Sequence, residues 1–117
     1  MRPSDPEKAA FIRGKIVIVC EAVLREEIGI IAGSRILNHL GFTLYDGFDS
    51  QKDEEFLTFV VIDSETDHLP VDRERANWSS EALERKDKEI AKSEAFYRDI
   101  AFDACKTLIE RYDLRND

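Results

Sequence analysis

The chain has 117 residues, the usual size of one domain, and its 43% hydrophobic and 36% charged residues are typical of a folded protein. Its formal net charge of −8 opposes binding to a phosphate backbone, so we predict no nucleic-acid ligand. The longest apolar run, Ile16 to Cys20, is far shorter than the roughly 20 residues of a membrane span, so we predict no membrane insertion. A single helical domain over residues 1–117 is expected.

Prolines and acidic residues near the start of the chain, with no small-residue cleavage site after the first apolar run, argue against a secretory signal. We therefore predict a cytoplasmic protein. Cys20 and Cys105 both lie within apolar helical patterns, which indicates two reduced thiols in the core. A mutual disulfide or a reactive thiol is the alternative.

A first helix is predicted to begin after Asp5, which can cap it, with Pro6 at the first helical position. Apolar residues then recur at helical spacing: Ile12, Ile16, Val19 and Val23. The β-branched run over residues 16–19 could instead form a strand, but the charged residues on both sides fit a helix better.

A second helix is predicted from the 3.6-residue pattern of Ile28, Ile31, Ala32, Ile36 and Leu40. It is expected to stop at Gly41, a favourable C-cap residue, so that His39 lies near its last carbonyl groups. Gly29 and Gly33 share one face and could let this helix approach a neighbour closely.

Between the second and last helices the pattern is ambiguous. Residues 42–52 are expected to form a connecting loop, and Asp53 could cap a short helix. Residues 56–62 could equally form a buried strand. We predict a mainly α fold, a small helical bundle with a central loop-rich or short-strand segment; the alternative is an α+β fold with a strand at about 56–62.

The last element is predicted to be a long helix. His68 to Asn77 is expected to connect, Ser79 or Ser80 to cap, and the helix to continue to about Asp113. Its apolar stripe begins only at Tyr97. Because such a helix would be roughly 50 Å long, it must kink, project or pair with another chain. We expect the first, second and last helices to pack together.

One segment could carry chemistry. Residues 63–70 concentrate three carboxylates, two hydroxyls and a histidine, and Arg75 and Trp78 follow. A divalent metal or an acid pair is conceivable, but the spacing matches no metal loop and no nucleophile accompanies it. We predict no catalytic residue, metal or cofactor. Instead we expect a structural cluster at a chain reversal, in which loss of Arg75 is costly; its predicted members are Asp63, Glu65, Asp67, His68, Arg75 and Trp78.

The octapeptide Asp-Ser-Glu-Thr-Asp-His-Leu-Pro at positions 63–70 is followed by Arg75-x-x-Trp78 and preceded by the run from Glu27 to Arg35. Over roughly residues 12–112, the chain resembles a family of small bacterial proteins with a Ser-Glu-Thr-Asp-His-Leu-Pro signature. The resemblance implies a shared fold. It implies no activity, because none is established for that family.

Two functions remain as hypotheses. The first is a non-enzymatic protein–protein interaction module, for example an immunity-type protein that binds a partner toxin, because the chain is small and acidic and lacks catalytic motifs. The second is a small metal-dependent hydrolase centred on residues 63–68. Phe96 and Phe102 lie off the stripe of the last helix and are predicted to bind a partner, either a second copy or a basic protein. A kink near Ser93 could instead fold both aromatics inward.

Overall fold

The computed structural model describes residues 5–113, apart from the side chain at position 72. The described part is a helical bundle without strands, so the predicted mainly α fold is confirmed. Its four α-helices are α1 (Pro6–Leu24), α2 (Ile30–Leu44), α3 (Glu54–Thr66) and α4 (Ser80–Tyr112). Short 3₁₀ helices cover Phe48–Lys52 and Asp72–Asn77. No helix in residues 5–113 has the length and apolar character needed to cross a membrane.

The start of α1 follows the local signals in the sequence. The Asp5 carboxylate accepts hydrogen bonds from the backbone N–H groups of Glu7 and Lys8, at 2.9 and 3.3 Å. Pro6 occupies the first turn, where its missing N–H costs nothing. The β-branched run over residues 16–19 is helical, so the strand alternative for this segment is wrong.

The predicted end of α2 is wrong by one turn. Gly41 lies inside the helix, where an added Cβ would come within 2.4 Å of the Phe56 ring, so the glycine allows close packing rather than capping. The helix ends in a Schellman motif: Asp46 adopts a positive φ of 59°, and the Gly47 N–H bonds to the Phe42 carbonyl. His39 therefore lies before the last turn, and its predicted capping role is also wrong.

The ambiguous segment after residue 52 is a helix. Asp53 caps α3 by accepting from the N–H groups of Glu55 and Phe56, as predicted for the helical alternative. The strand at 56–62 is wrong, because Phe56, Phe59 and Ile62 recur at helical spacing and are buried. The predicted packing of the first, second and last helices is confirmed, but α3 also contributes its apolar face to the core.

The core joins α1 and α4 as antiparallel neighbours. Arg98 of α4 pairs with Glu26 at the end of α1 at 2.9 Å, and Arg13 lies over the Tyr112 ring at the opposite end. Between these ends Cys20 and Cys105 are fully buried and free, as predicted. A hydrogen bond with Cys105, together with burial, raises the pKa of the Cys20 thiol far above its usual range, which keeps this thiol protonated.

Helix α4 is long relative to the bundle. Ser79 caps it through the Ala82 N–H, and the helix continues without interruption through Ser93. The described molecule measures 47 × 26 × 22 Å, so the longest dimension approaches the roughly 50 Å expected of 33 helical residues. The N-terminal half of α4 therefore lies beyond the main core, against the segment that connects α3 to α4.

Close contacts at the start of α2, one with α4 and one with α1, explain Gly29 and Gly33. Glu94 accepts a hydrogen bond from the Ile31 N–H at 3.0 Å and so caps a helix that has no side-chain cap of its own. A Cβ on Gly29 would lie 2.6 Å from the Glu94 carboxylate, and one on Gly33 would lie 2.4 Å from Val23. The predicted close approach at both glycines is confirmed.

Candidate functional site

The charge-dense segment, residues 63–78, is divided among several structural elements. Residues 63–66 form the last turn of α3, residues 67–71 make the turn after it, and residues 72–77 form the second 3₁₀ helix. Leu69 and Pro70 are buried and anchor the turn. The predicted members therefore face different neighbours, and they do not meet in one hydrogen-bonded cluster.

Arg35 of α2 holds the beginning of this segment. Its guanidinium donates to the backbone carbonyls of Thr66 and Leu69, both at 2.7 Å, and so satisfies acceptors exposed by the end of α3. It also donates to Glu74 at 2.8 Å, which ties the 3₁₀ helix to α2. Arg35 lies in the run of the family resemblance, yet its role depends on hydrogen-bond partners at least 31 residues away, and sequence reasoning missed it.

Two acids complete the surroundings of Arg35. The hydrogen bond from the Val71 N–H lowers the pKa of Glu74 below its usual value, and the hydrogen bond from Arg35 lowers it further. Asp63 accepts from the Asn38 amide at 2.9 Å and lies 3.6 Å from the Arg35 guanidinium. Asp63 thus joins α3 to α2, beside a groove of about 320 Å³.

The second half of the segment contacts α4 instead. Arg75 makes a bidentate pair with Asp87, at 2.7 and 3.0 Å, and this pair lowers the pKa of the Asp87 carboxyl. His68 lies 2.9 Å from Glu89, whose pKa it lowers. Trp78 has the Lys86 ammonium over its ring, 5.9 Å from the centroid. These contacts are exposed and dock the connecting segment on the N-terminal half of α4.

Glu65 and Asp67 belong neither to the contacts around Arg35 nor to the contacts with α4. Each is exposed, and within residues 5–113 neither side chain makes a hydrogen bond or ion pair. Among the described residues, no three histidine, cysteine, aspartate or glutamate side chains are placed to hold a metal ion.

Asp53, which sequence reasoning recognised only as a cap, is the centre of a partly buried polar hub. Besides capping α3, this carboxylate accepts a hydrogen bond from the Tyr45 hydroxyl at 2.7 Å and pairs with Arg111 at 2.6 Å. Arg111 also donates to Glu55. Burial and the bond to Asp53 raise the pKa of the Tyr45 hydroxyl above its usual value. The hub joins α2, α3 and the end of α4.

The two predicted partner-binding aromatics differ in environment. Phe96 is 78% exposed, and its ring meets the neighbouring Tyr97 ring edge-on. Phe102 is half-buried against the core, with the Arg98 guanidinium over its ring. Ile100, one turn after Phe96, is exposed and was not predicted. The kink that would fold both aromatics inward does not occur, because α4 is continuous and Phe96 points outward.

Compared with known proteins, this chain matches no family model, no curated protein and no solved structure.

Proposed function

We propose that this protein is a non-enzymatic interaction module that binds a basic protein partner through the outward face of α4. The exposure of Phe96 and Ile100, one turn apart, carries the proposal. The core closes without them, so their exposure gains nothing for the fold. Exposed apolar side chains grouped on one helix face are typical of an interaction surface.

Charge supports a basic partner for this face. Asp99 and Asp103 are exposed beside the apolar pair and form no ion pair within residues 5–113. The whole chain carries a net charge of −8. A basic protein would complement these carboxylates. A basic partner is therefore favoured here.

Immunity-type binding is the class of function that fits this combination. A protein that neutralises a toxin by covering it needs a complementary surface and no catalytic group. The carboxylates of residues 63–78, in this proposal, hold the connecting segment rather than a substrate. The hydrolase centred on residues 63–68 stays a prediction, and no contact within the described chain favours it.

The experiment is site-specific photo-crosslinking in the native cell. A photoreactive phenylalanine replaces Phe96 in one version of the full chain and Phe48 in a matched control. Phe48 is 73% exposed but lies in the 3₁₀ helix before α3. We expect position 96, and not position 48, to yield one dominant adduct with a protein of positive net charge.

Adducts of equal yield at both positions would contradict the proposal, as would an acidic protein at position 96 or the absence of any adduct. Adducts with a second copy at position 96 would instead assign this face to self-association.

A further inference from the structure

The outward face of α1 is also uncovered. Phe11 and Ile18 are each 65% exposed, two turns apart. Gly14 lies between them, and a Cβ added there would meet no atom within 4 Å. A glycine inside a helix is unfavourable relative to alanine. No packing contact within the described chain requires this one, in contrast to Gly29, Gly33 and Gly41.

A groove runs beside this face. It has a volume of about 540 Å³ and separates α1 from the end of α4. Its α1 wall combines four small or apolar residues with two charged ones, and Arg111, Tyr112 and Asp113 line the other side; the α1 residues are Ala10, Arg13, Gly14, Val17, Ile18 and Glu21. Its lining is thus mainly small or apolar on the α1 side, and the missing Cβ at Gly14 lets another backbone approach.

The positions along this face are spaced for a helix partner. Six residues follow one another at alternating intervals of four and three: Glu7, Phe11, Gly14, Ile18, Glu21 and Arg25. Such spacing places side chains on one line along a helix and lets that line face a second helix. We propose that a second copy of this chain packs here, with the two α1 helices antiparallel about a two-fold axis.

Charge selects the register. In an antiparallel pair centred near Ile16, Gly14 of each copy lies opposite Ile18 of the other, so that each isoleucine fills the notch left by a glycine. The same register places Glu7, near the positive N-terminus of α1, opposite Arg25 of the other copy. Both are exposed and carry opposite charges. A shift by one heptad would place Glu7 opposite Ile18 and lose this ion pair.

This surface is separate from the α4 face, so the dimer can hold while the proposed partner of α4 binds. Multi-angle light scattering of the purified full chain, over a micromolar concentration series, measures the association. We expect a concentration-dependent rise to twice the mass of one chain. Gly14→Glu should weaken dimerisation at least tenfold and leave circular dichroism unchanged, because the monomer has room for a side chain there.

Gly14→Ala provides a sharper readout. It should weaken association while raising the thermal stability of the diluted monomer, two effects of opposite sign that a purely structural glycine would not produce. Phe96→Asp on α4 is the control and should leave the dimer mass unchanged.

Register is tested by charge exchange. Glu7→Arg alone should weaken the dimer by placing two cations opposite each other. The double variant Glu7→Arg with Arg25→Glu keeps the wild-type net charge and should restore association. A wild-type chain that stays monomeric at hundreds of micromolar would overturn the proposal. So would a dimer insensitive to Gly14→Glu, or failure of the double variant to restore what Glu7→Arg loses.

Discussion

Two arginine–carboxylate contacts in this molecule have similar shortest distances, 2.6 and 2.7 Å, but their carboxylates have different surroundings. The Asp53 side chain is only 10% exposed, and it serves Arg111, Tyr45 and the start of α3 at once. Arg75 and Asp87 make an equally short pair, but their side chains are 37% and 49% exposed and serve each other. Water reaches both guanidinium groups, since the Arg111 side chain is 34% exposed and the Arg75 side chain 37%, but it reaches the Asp53 carboxylate far less than the Asp87 carboxylate. The burial of the carboxylate and the number of its partners, rather than distance, therefore decide how much each contact stabilises the fold.

Asp53→Ala should have the largest effect. It removes the cap of α3, which typically costs about 0.5–2 kcal/mol, and the charged hydrogen bond to Arg111, which typically contributes about 1.5–3 kcal/mol. We expect the free energy of unfolding, measured by urea denaturation, to fall by about 3 kcal/mol or more. Asp49→Ala is the control, because that exposed carboxylate pairs with the exposed Lys52. A loss below about 1 kcal/mol, similar to the control, would erase the distinction between the two pairs.

Arg35→Met should have an intermediate effect. The methionine keeps much of the aliphatic volume but leaves the carbonyls of Thr66 and Leu69 without their donor, at about 1–3 kcal/mol for unsatisfied groups. A loss of about 2 kcal/mol is expected by urea denaturation. Arg85→Met, on the exposed face of α4, should change stability by less than about 0.5 kcal/mol. Equal effects of the two variants would remove Arg35 from its anchoring role.

The helix starts could be predicted because their signals are local. Asp5 and Ser79 lie within a few residues of the N–H groups they cap, and the stripe of α4 lies in consecutive turns. The end of α2 could not be predicted, because Gly41, a residue type that often caps a helix, instead leaves room for the Phe56 ring. That use depends on where α3 packs, which no local pattern contains.

The prediction that residues 63–78 form one cluster was wrong for the same physical reason. Charges close in sequence were expected to pair, but Arg75 pairs with Asp87 and His68 with Glu89, on a helix whose position over the segment is set by the core. Asp53 illustrates the converse. Its capping role is local and was predicted, whereas its bond to Arg111 spans 58 residues.

Arg75→Ala should have only a mild effect on thermal stability. The sequence alone predicts a sharp fall in melting temperature, as for a partly buried pair, but an exposed pair contributes little because water screens it. We therefore expect a melting temperature within a few degrees of the wild type by circular dichroism. A fall comparable to that of Asp53→Ala would show that exposure does not separate the two pairs.

The smallest expected effect is the contribution of the Arg75–Asp87 pair to the pH dependence of stability, which should appear in acid. The Arg75 guanidinium lowers the pKa of the Asp87 carboxyl, so the unfolded chain binds this proton more readily than the folded chain. The stabilisation is therefore present above the ordinary aspartate pKa of about 3.9 and is lost as the pH falls through the lowered, folded value. Asp87→Asn should flatten the dependence of unfolding free energy on pH below about pH 4. An unchanged slope would mean that the pair does not persist in solution.

The α4 face is proposed to bind a basic protein. The most direct test is a calorimetric titration of the purified partner, identified by crosslinking, into three versions of the full chain. Truncating a central apolar contact commonly costs about 2 kcal/mol, so Phe96→Asp should raise Kd roughly 30-fold relative to the wild type. Phe48→Asp, which adds the same charge at a similarly exposed aromatic, should change Kd less than about threefold. Equal Kd values for all three chains would contradict the proposed function.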